Sequence, residues 1–282
     1  METRLDCLPC FLRQGLYAAR LVDPNDYELH RFVVQSWSKR LADLDLRCPP
    51  PLLVGDLYAL LQESIDTLDP FAQEKRKSNI KALDLLPTLR SIISQSKDHL
   101  LAALEISIIG NYIDSGVGKD FHWEEKLQTE DRQLDMETYQ RFVKDILSSQ
   151  KVMILGDNAG EIALDILLVE ELQKLDCQVT YVVREKPVIN DATLEDARFV
   201  GLVNKCHVIS SGVNTAGTVL SRCSKDFLRE FNQAPVIISK GQGNLEALLQ
   251  ERSPVYYAFK VKCQVISDLV KLPEGNSAFL CL

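Results

Sequence analysis

No stretch of the 282-residue chain approaches the roughly 18 uninterrupted apolar residues of a membrane span. Basic residues are in the minority, 32 Lys and Arg against 40 Asp and Glu, which leaves a formal charge of −8 and a pI near 5.2. With no basic block either, the balance argues against a dedicated nucleic-acid or anionic-membrane binder. The opening residues, Met1-Glu2-Thr3-Arg4-Leu5-Asp6, are charged and lack an apolar secretory segment, so the expected location is cytoplasmic. The eight cysteines do not form a disulfide framework: they are scattered, and only Cys7 and Cys10 make a C-x-x-C. A zinc site there wants a second nearby pair, and only Cys48 is near in sequence. Helix-packing thiols are the expected reading, with a metal or redox site as the alternative. What is present, 46% hydrophobic and 26% charged residues, is ordinary for a globular chain with a substantial core.

The rhythm of the chain changes near residue 150. Residues 1–148 read as a helical domain, with apolar residues at three- and four-residue spacing over Leu5–Arg20, Asp26–Leu44, Leu52–Leu68, Phe71–Ile93 and Met136–Leu147. Pro87 is expected to kink or divide the fourth of these, and Asp98 to cap a helix ending near Gly110-Asn111. Residues 114–135 read as a polar loop. Residues 149–282 alternate strand, turn and helix. The expected strands are Val152–Leu155, Gln178–Val183, His207–Ile209, Val236–Ser239, Val255–Phe259 and Ala278–Cys281. Helices are expected at Ile162–Leu175, Leu194–Val200, Thr218–Phe231, Leu245–Gln250 and Val261–Leu269. Apolar strands alternating with helices imply a Rossmann-like three-layer α/β domain whose parallel sheet is covered on both faces.

In such a sheet the turns after the strand ends share one edge, where ligands bind. Here they read Gly156-Asp157-Asn158-Ala159-Gly160-Glu161, then Arg184-Glu185-Lys186-Pro187 running to Asn190-Asp191-Ala192-Thr193, and later Lys240-Gly241-Gln242-Gly243-Asn244. Asp157, Asn158 and Asp191 offer only carboxylate and amide oxygens, a set suited to a hard cation such as Mg²⁺ or Mn²⁺. Lys240 adds positive charge, and Gly241 and Gly243 allow backbone amides to approach an anion. Metal, lysine and amides together suit phosphate binding or phosphoryl chemistry. Each feature alone also has a plainer reading: Asn158 to Glu161 has capping-box spacing, and Asp191 or Thr193 can cap the helix that follows. Capping does not account for two acidic turns and a glycine-flanked lysine on one edge.

These three turns resemble the signature turns of the metal-dependent damage-control phosphatase family, most closely its compact microbial branch, which also carries an N-terminal C-x-x-C. Asp69-Pro70, Lys75, Asn79, Asp98 and Gly110–Asp114 look familial too, so the resemblance spans essentially the whole chain. It implies a helical domain packed on a Rossmann-like one, with a divalent metal (Mn²⁺ or Mg²⁺, with Co²⁺ and Ni²⁺ as further candidates) held by Asp157, Asn158 and Asp191. Lys240 takes the place of the family's phosphate-binding lysine, and the substrates implied are sugar phosphates and phosphorylated cofactor precursors or their damaged forms. Asn111 and Asp114 would line the substrate side of the cleft. Glu161 is a further candidate for orienting water or a substrate hydroxyl. The usual glycine before Lys186 is Glu185 here, which bears on anion affinity at Lys186.

The expected reaction is hydrolysis of a phosphate monoester, with attack by metal-activated water favoured over attack by Asp157. The strand–turn–helix at Val152–Glu161 keeps an S-adenosylmethionine-dependent carboxyl methyltransferase as an alternative, although Glu185 is a weak match for the acid such a site wants after strand two. A non-catalytic phosphometabolite-binding protein would use the same pocket. A dinucleotide dehydrogenase is disfavoured because G-x-G-x-x-G is missing after the first strand.

Overall fold

The computed structural model describes residues 1–65, 67, 69–110, 134–249 and 254–282. Its first half is helical among the described residues: α1 (Cys7–Val22), α2 (Tyr27–Leu41), α3 (Pro50–Gln62), α4 (Ala72–Gln95), α5 (His99–Ile109) and α6 (Met136–Ser149). Two starts follow from side-chain caps, since Asp26 accepts from the Leu29 amide and Asp98 from the Leu101 amide, both at 2.9 Å. Pro87 does not divide α4, which runs 24 residues through it. The candidates Asn111 and Asp114, and most of the expected polar loop, lie outside the described residues.

The second half alternates as expected: β1 (Lys151–Leu155), α7 (Glu161–Lys174), β2 (Gln178–Val183), α8 (Leu194–Phe199), β3 (His207–Ser210), α9 (Lys225–Gln233), β4 (Ile237–Lys240), α10 (Gln242–Leu248), β5 (Val255–Lys260), α11 (Gln264–Val270) and β6 (Ser277–Cys281). The sheet order is β3-β2-β1-β4-β5-β6. The first five strands pair in parallel, and β6 pairs antiparallel with β5. The exception has a local cause. Val261 donates to Asn276 and accepts from Gly275, so the chain leaving β5 doubles back beside itself around α11 and returns as an edge strand. α9 begins later than the periodicity suggests because Ser224 caps it, accepting from Phe227 at 3.2 Å.

Strand parity distributes the core. Val152 and Ile154 of β1, Tyr181 and Val183 of β2 and Ile238 of β4 face one cluster, built with α4 to α8. Met153 and Leu155, Val182 and Ile237 face a second, closed by Phe227, Phe231, Leu245 and Ile266. Both faces are covered, which is why the strands read as continuous apolar runs. A third cluster joins α1, α2 and α3, and it includes Val188 from the turn after β2. Helices α1–α3 therefore pack against the C-terminal edge of the sheet, where the polar turns gather. No helix among the described residues is long and apolar enough to cross a membrane.

Candidate active site

The β1–α7 and β2–α8 turns are joined by main-chain hydrogen bonds. Ala159 donates to the Asn190 carbonyl and Ala192 to the Asp157 carbonyl, each at 2.8 Å. These make Asn158 and Asp191 directly opposed partners of a one-residue antiparallel bridge. Opposed residues of such a bridge project to the same side, so residues 33 apart in sequence share one space. Ile189, two residues before Asp191, is held at φ +46, a left-handed conformation unfavourable for a β-branched side chain. Backbone strain of this kind gathers where surrounding structure dictates a geometry.

Asp157, Asn158 and Asp191 are all buried. Arg184, the first residue after β2, lies behind them and is 1% exposed. Its Nε donates to Asp191 Oδ2 at 2.7 Å and its Nη1 to Thr218 Oγ1 at 3.0 Å. Its Nη2 sits 3.8 Å from Asp157 Oδ1 and has no hydrogen-bond partner among the described residues. Burial, with the neighbouring Asp157 charge adding and Arg184 opposing, pushes the Asp191 carboxyl up to about 7. Two crowded carboxylates and an amide, incompletely balanced by one guanidinium, fit a hard cation. Among the described residues no group of three or more His, Cys, Asp or Glu is placed to hold a metal, so this mixed oxygen set is the candidate.

A second cluster lies deeper. Parity turns Lys240, two residues after Ile238, toward the α5/α7 face. Its Nζ meets Asp165 Oδ1 at 2.8 Å, the Ser107 carbonyl at 3.0 Å and Glu161 Oε2 at 3.4 Å. Asp165 also accepts from Ser107 Oγ and Tyr181 OH, both at 2.6 Å. Glu161 accepts from Asn158 Nδ2 at 3.3 Å, which links the two clusters and turns the Asn158 nitrogen toward Glu161. Burial pushes the Glu161 carboxyl up to about 8, against the pull of Lys240. Arg184, Asp165 and Ser107 were not among the expected site residues.

The turns are braced from outside. Asn79 of α4 accepts from the Gly160 amide at 2.7 Å and donates to Asp196 at 3.0 Å. Asp196 also pairs with buried Lys75 at 2.7 Å, and Lys75 reaches Asp69 at 3.1 Å. Thr193 N–H and Oγ1 both donate to Asp196 at 2.9 Å, so the cap of α8 is built on Thr193. That leaves Asp191 free of the capping role considered for it.

The remaining expected residues divide. Gly241 has φ +79, and a Cβ there would stand 1.9 Å from Asp157 Oδ2. Its amide, however, donates to the Ala258 carbonyl at 3.1 Å. Its part is to let Asp157 approach, which corrects the expectation that this amide meets an anion. Gly243 is pressed against the Ala216 carbonyl and lines the cleft in the first turn of α10. Lys186 is exposed and lies outside the cleft lining. Glu185 accepts from Ser210 Oγ at 2.5 Å, an engagement at odds with the ribose-binding acid of a methyltransferase. The cleft holds about 820 Å³ and brings Asp157, Asn158 and Asp191 together with Cys7, Cys10 and Lys262 on its walls. The structure has no disulfide among the eight cysteines.

A family model described as the damage-control phosphatase ARMT1-like domain matches residues 3–278. The chain belongs to the damage-control phosphatase family. It is 30% identical to a damage-control phosphatase of Pyrococcus horikoshii over 100% of this chain and 98% of that one. An uncharacterised protein of Methanocaldococcus jannaschii is 31% identical, with 99% of this chain and 95% of that one covered. A crystal structure of a DUF89 family protein from Pyrococcus horikoshii superposes with a TM-score of 0.90 at 28% identity, covering 100% of this chain and 99% of that one. The family to which the turns pointed, and the fold read from the change of rhythm near residue 150, are thus borne out.

The raised carboxyls give a pH prediction. An unfolded aspartate loses its proton near 4, while folded Asp191 keeps its proton up to about 7. Between those values the folded state binds more protons, so this group's contribution to stability is full below about 4 and falls as pH rises toward 7. Asp191→Asn lacks that loss. Without divalent metal, its melting temperature relative to wild type is expected to rise by on the order of 5 °C between pH 5 and pH 8. A difference that is flat or falls with pH in paired thermal melts contradicts the assignment.

Proposed function

We propose that the chain is a divalent-metal-dependent phosphatase that hydrolyses phosphate monoesters of small metabolites. The observation that carries this reading is the Asn158–Asp191 bridge, which gathers two carboxylates and an amide at the wall of the cleft. The family's phosphatase character supports it. Asp157, Asn158 and Asp191 would hold Mg²⁺ or Mn²⁺, whose chemistry is Lewis-acid polarisation of phosphoryl oxygens and activation of water. Arg184 fixes the Asp191 rotamer and offsets part of the acidic charge. Glu161 orients the Asn158 amide and is a candidate to hold a proton next to the cleft.

Phosphoryl transfer needs positive charge on the oxygens facing away from the metal. Lys240 was expected to supply it, but its ammonium is enclosed by Asp165, Glu161 and the Ser107 carbonyl. Lys262 is better placed. It lies exposed on the cleft wall, its backbone amide is held by Gln242 Oε1 at 3.0 Å, and it has no ion pair among the described residues. Its charge reaches Asp191 and Glu161, as a minor influence on each. Lys262, with the Gly243 amide, is assigned the phosphoryl oxygens. Lys262→Gln is expected to raise KM for phosphate esters, and the inhibition constant of inorganic phosphate, by roughly 10- to 100-fold. Equal constants in the two proteins would return the role to Lys240.

The test of the activity is a phosphate-release screen over sugar phosphates, nucleotides and phosphopantothenate-type compounds. It is run with Mn²⁺ or Mg²⁺ and repeated with chelator. Release that depends on metal supports the reading. Binding of a phosphorylated ligand without release would make the protein a sensor, and stabilisation by S-adenosylmethionine without release would favour the methyltransferase.

A further inference from the structure

Besides Asp157 and Asp191, the wall of the cleft carries a further half-buried acid, Glu246. It lies in α10 three residues after Gly243, and residues three apart on a helix share a face. The opposite face of α10, with Asn244, Leu245, Ala247 and Leu248, is buried, so Gln242, Gly243 and Glu246 form the side that lines the cleft. The carboxyl is held in place. Gln242 Oε1 accepts from the Lys262 amide at 3.0 Å, which aims its Nε2 at Glu246 Oε1, 2.9 Å away. The same Nε2 reaches Cys263 Sγ at 3.5 Å. Glu246 Oε2 has no hydrogen-bond partner among the described residues and is not sealed from the surface, so it opens into the cleft.

Burial raises the Glu246 carboxyl to about 7 and the Asp157 charge adds to it, while the Gln242 amide, the Met1 ammonium and Lys262 oppose. The Met1 ammonium is itself held by the Glu246 carbonyl at 2.5 Å, and the Cys7 thiol of α1 is a further titratable group that feels Glu246. Glu161 has both oxygens committed inward, one to Asn158 Nδ2 and the other to Lys240 Nζ. In phosphoryl transfer the departing oxygen gathers negative charge as its bond to phosphorus breaks. An alkoxide leaves poorly unless a proton arrives with that charge, and a positioned side-chain acid that supplies it is worth about 10²–10⁴ in rate. Lys262 and the Gly243 amide address the phosphoryl oxygens, which leaves the ester oxygen without a donor. Glu246, one turn from Gly243, stands next to that oxygen's place.

We propose that Glu246 is the general acid of the reaction, donating a proton from Oε2 to the ester oxygen of the departing alcohol. The inference rests on the phosphatase reading and deepens it by assigning the leaving-group proton. As the phosphorus–oxygen ester bond breaks, its electron pair stays on the alcohol oxygen, which takes the Glu246 proton and departs as a neutral alcohol. Water supplies the new oxygen of inorganic phosphate. One of its protons stays with the phosphate, and the other returns to the Glu246 carboxylate through solvent. The acid matters most for alkyl esters, because a nitrophenolate leaves without needing a proton.

Glu246→Gln in the full-length protein with Mn²⁺ tests it, on two substrates: the sugar phosphate that wild type hydrolyses fastest, and nitrophenyl phosphate. Glutamine keeps the size of the side chain and an oxygen for Gln242, but carries no acidic proton. The ratio of kcat/KM for the sugar phosphate to that for nitrophenyl phosphate is expected to fall about 100-fold. An unchanged ratio overturns the proposal. The melting-temperature rise produced by Mn²⁺ should match that of wild type. Its loss would make Glu246 a cation ligand and overturn the proposal as well. If Glu246→Gln does not fold, wild type decides. Values of kcat/KM nearly independent of the acidity of the leaving alcohol, across alkyl and aryl phosphates, support a placed acid. A steep fall toward the less acidic alcohols, or release from nitrophenyl phosphate alone, overturns it. Failure of the phosphatase reading looks different: wild type then releases phosphate from neither ester, and the assignment falls with it.

Discussion

Asp191→Asn is expected to lower phosphate release by about 10²–10³-fold or more while leaving the fold in place. The substitution is nearly isosteric and keeps an oxygen for Arg184 Nε, which lies 2.7 Å from Asp191 Oδ2. What it removes is a charge. In the candidate centre that charge does two things: with Asp157 it makes the space attractive to a divalent cation, and it holds Arg184 behind the acids, out of the cleft. Asp157→Asn should behave alike, because Asp157 is packed against Gly241, where there is no room for a side chain to replace it. Steady-state phosphate release with Mn²⁺ reads the loss of activity. The melting-temperature rise produced by Mn²⁺ reads the loss of cation binding, and it should be small or absent in both variants. A rate within threefold of wild type in either variant, or an undiminished Mn²⁺ shift, would remove these residues from the centre.

Much of this centre was legible before any coordinates. Strands buried on both faces must read as apolar runs, so a run that ends abruptly in Gly156-Asp157-Asn158 announces a strand end and its turn together. The same logic located Asp191 and Lys240. The direction in which Lys240 points was not read. It follows from parity, two residues beyond Ile238, and it turns the ammonium toward α7. Arg184 was hidden for a related reason. It opens a charged string, Arg184-Glu185-Lys186, of which only the first member is buried, and which member faces inward depends on where β2 ends. Asp165 did leave a signal: an acid within Ile162-Ala163-Leu164-Asp165-Ile166-Leu167-Leu168, where every neighbour is apolar. Such an acid needs an interior partner, and the partner lies 75 residues further on.

Lys240→Met is the harder test, because two roles for Lys240 make opposite predictions. A lysine that only touches substrate phosphate lowers catalysis when it is removed and leaves stability alone. A lysine that balances buried acids lowers stability first. Lys240 is 1% exposed, and Asp165 and Glu161 beside it are as deeply buried. Burial by itself would pull the ammonium's proton affinity down, yet Asp165 and Glu161 hold it above the ordinary lysine value. Removing one partner of such a set strands the others, at a cost of about 3–5 kcal/mol. For a chain of this length that corresponds to a melting temperature lower by on the order of 10 °C. The deficit should shrink as pH falls from about 8, the value to which Glu161 is pushed even beside Lys240, toward the ordinary carboxylate range near 4. It should also shrink when Glu161→Gln is added, because the second change removes a buried acid whose ionised form the ammonium had compensated. Catalysis falls in either case, but in the balancing role it falls through Glu161, which loses its hold on the Asn158 amide 3.3 Å away. A Lys240→Met protein that melts within about 2 °C of wild type and has lost only its affinity for phosphate would show that the ammonium swings out to the substrate, and that the acids around it were never its obligatory partners.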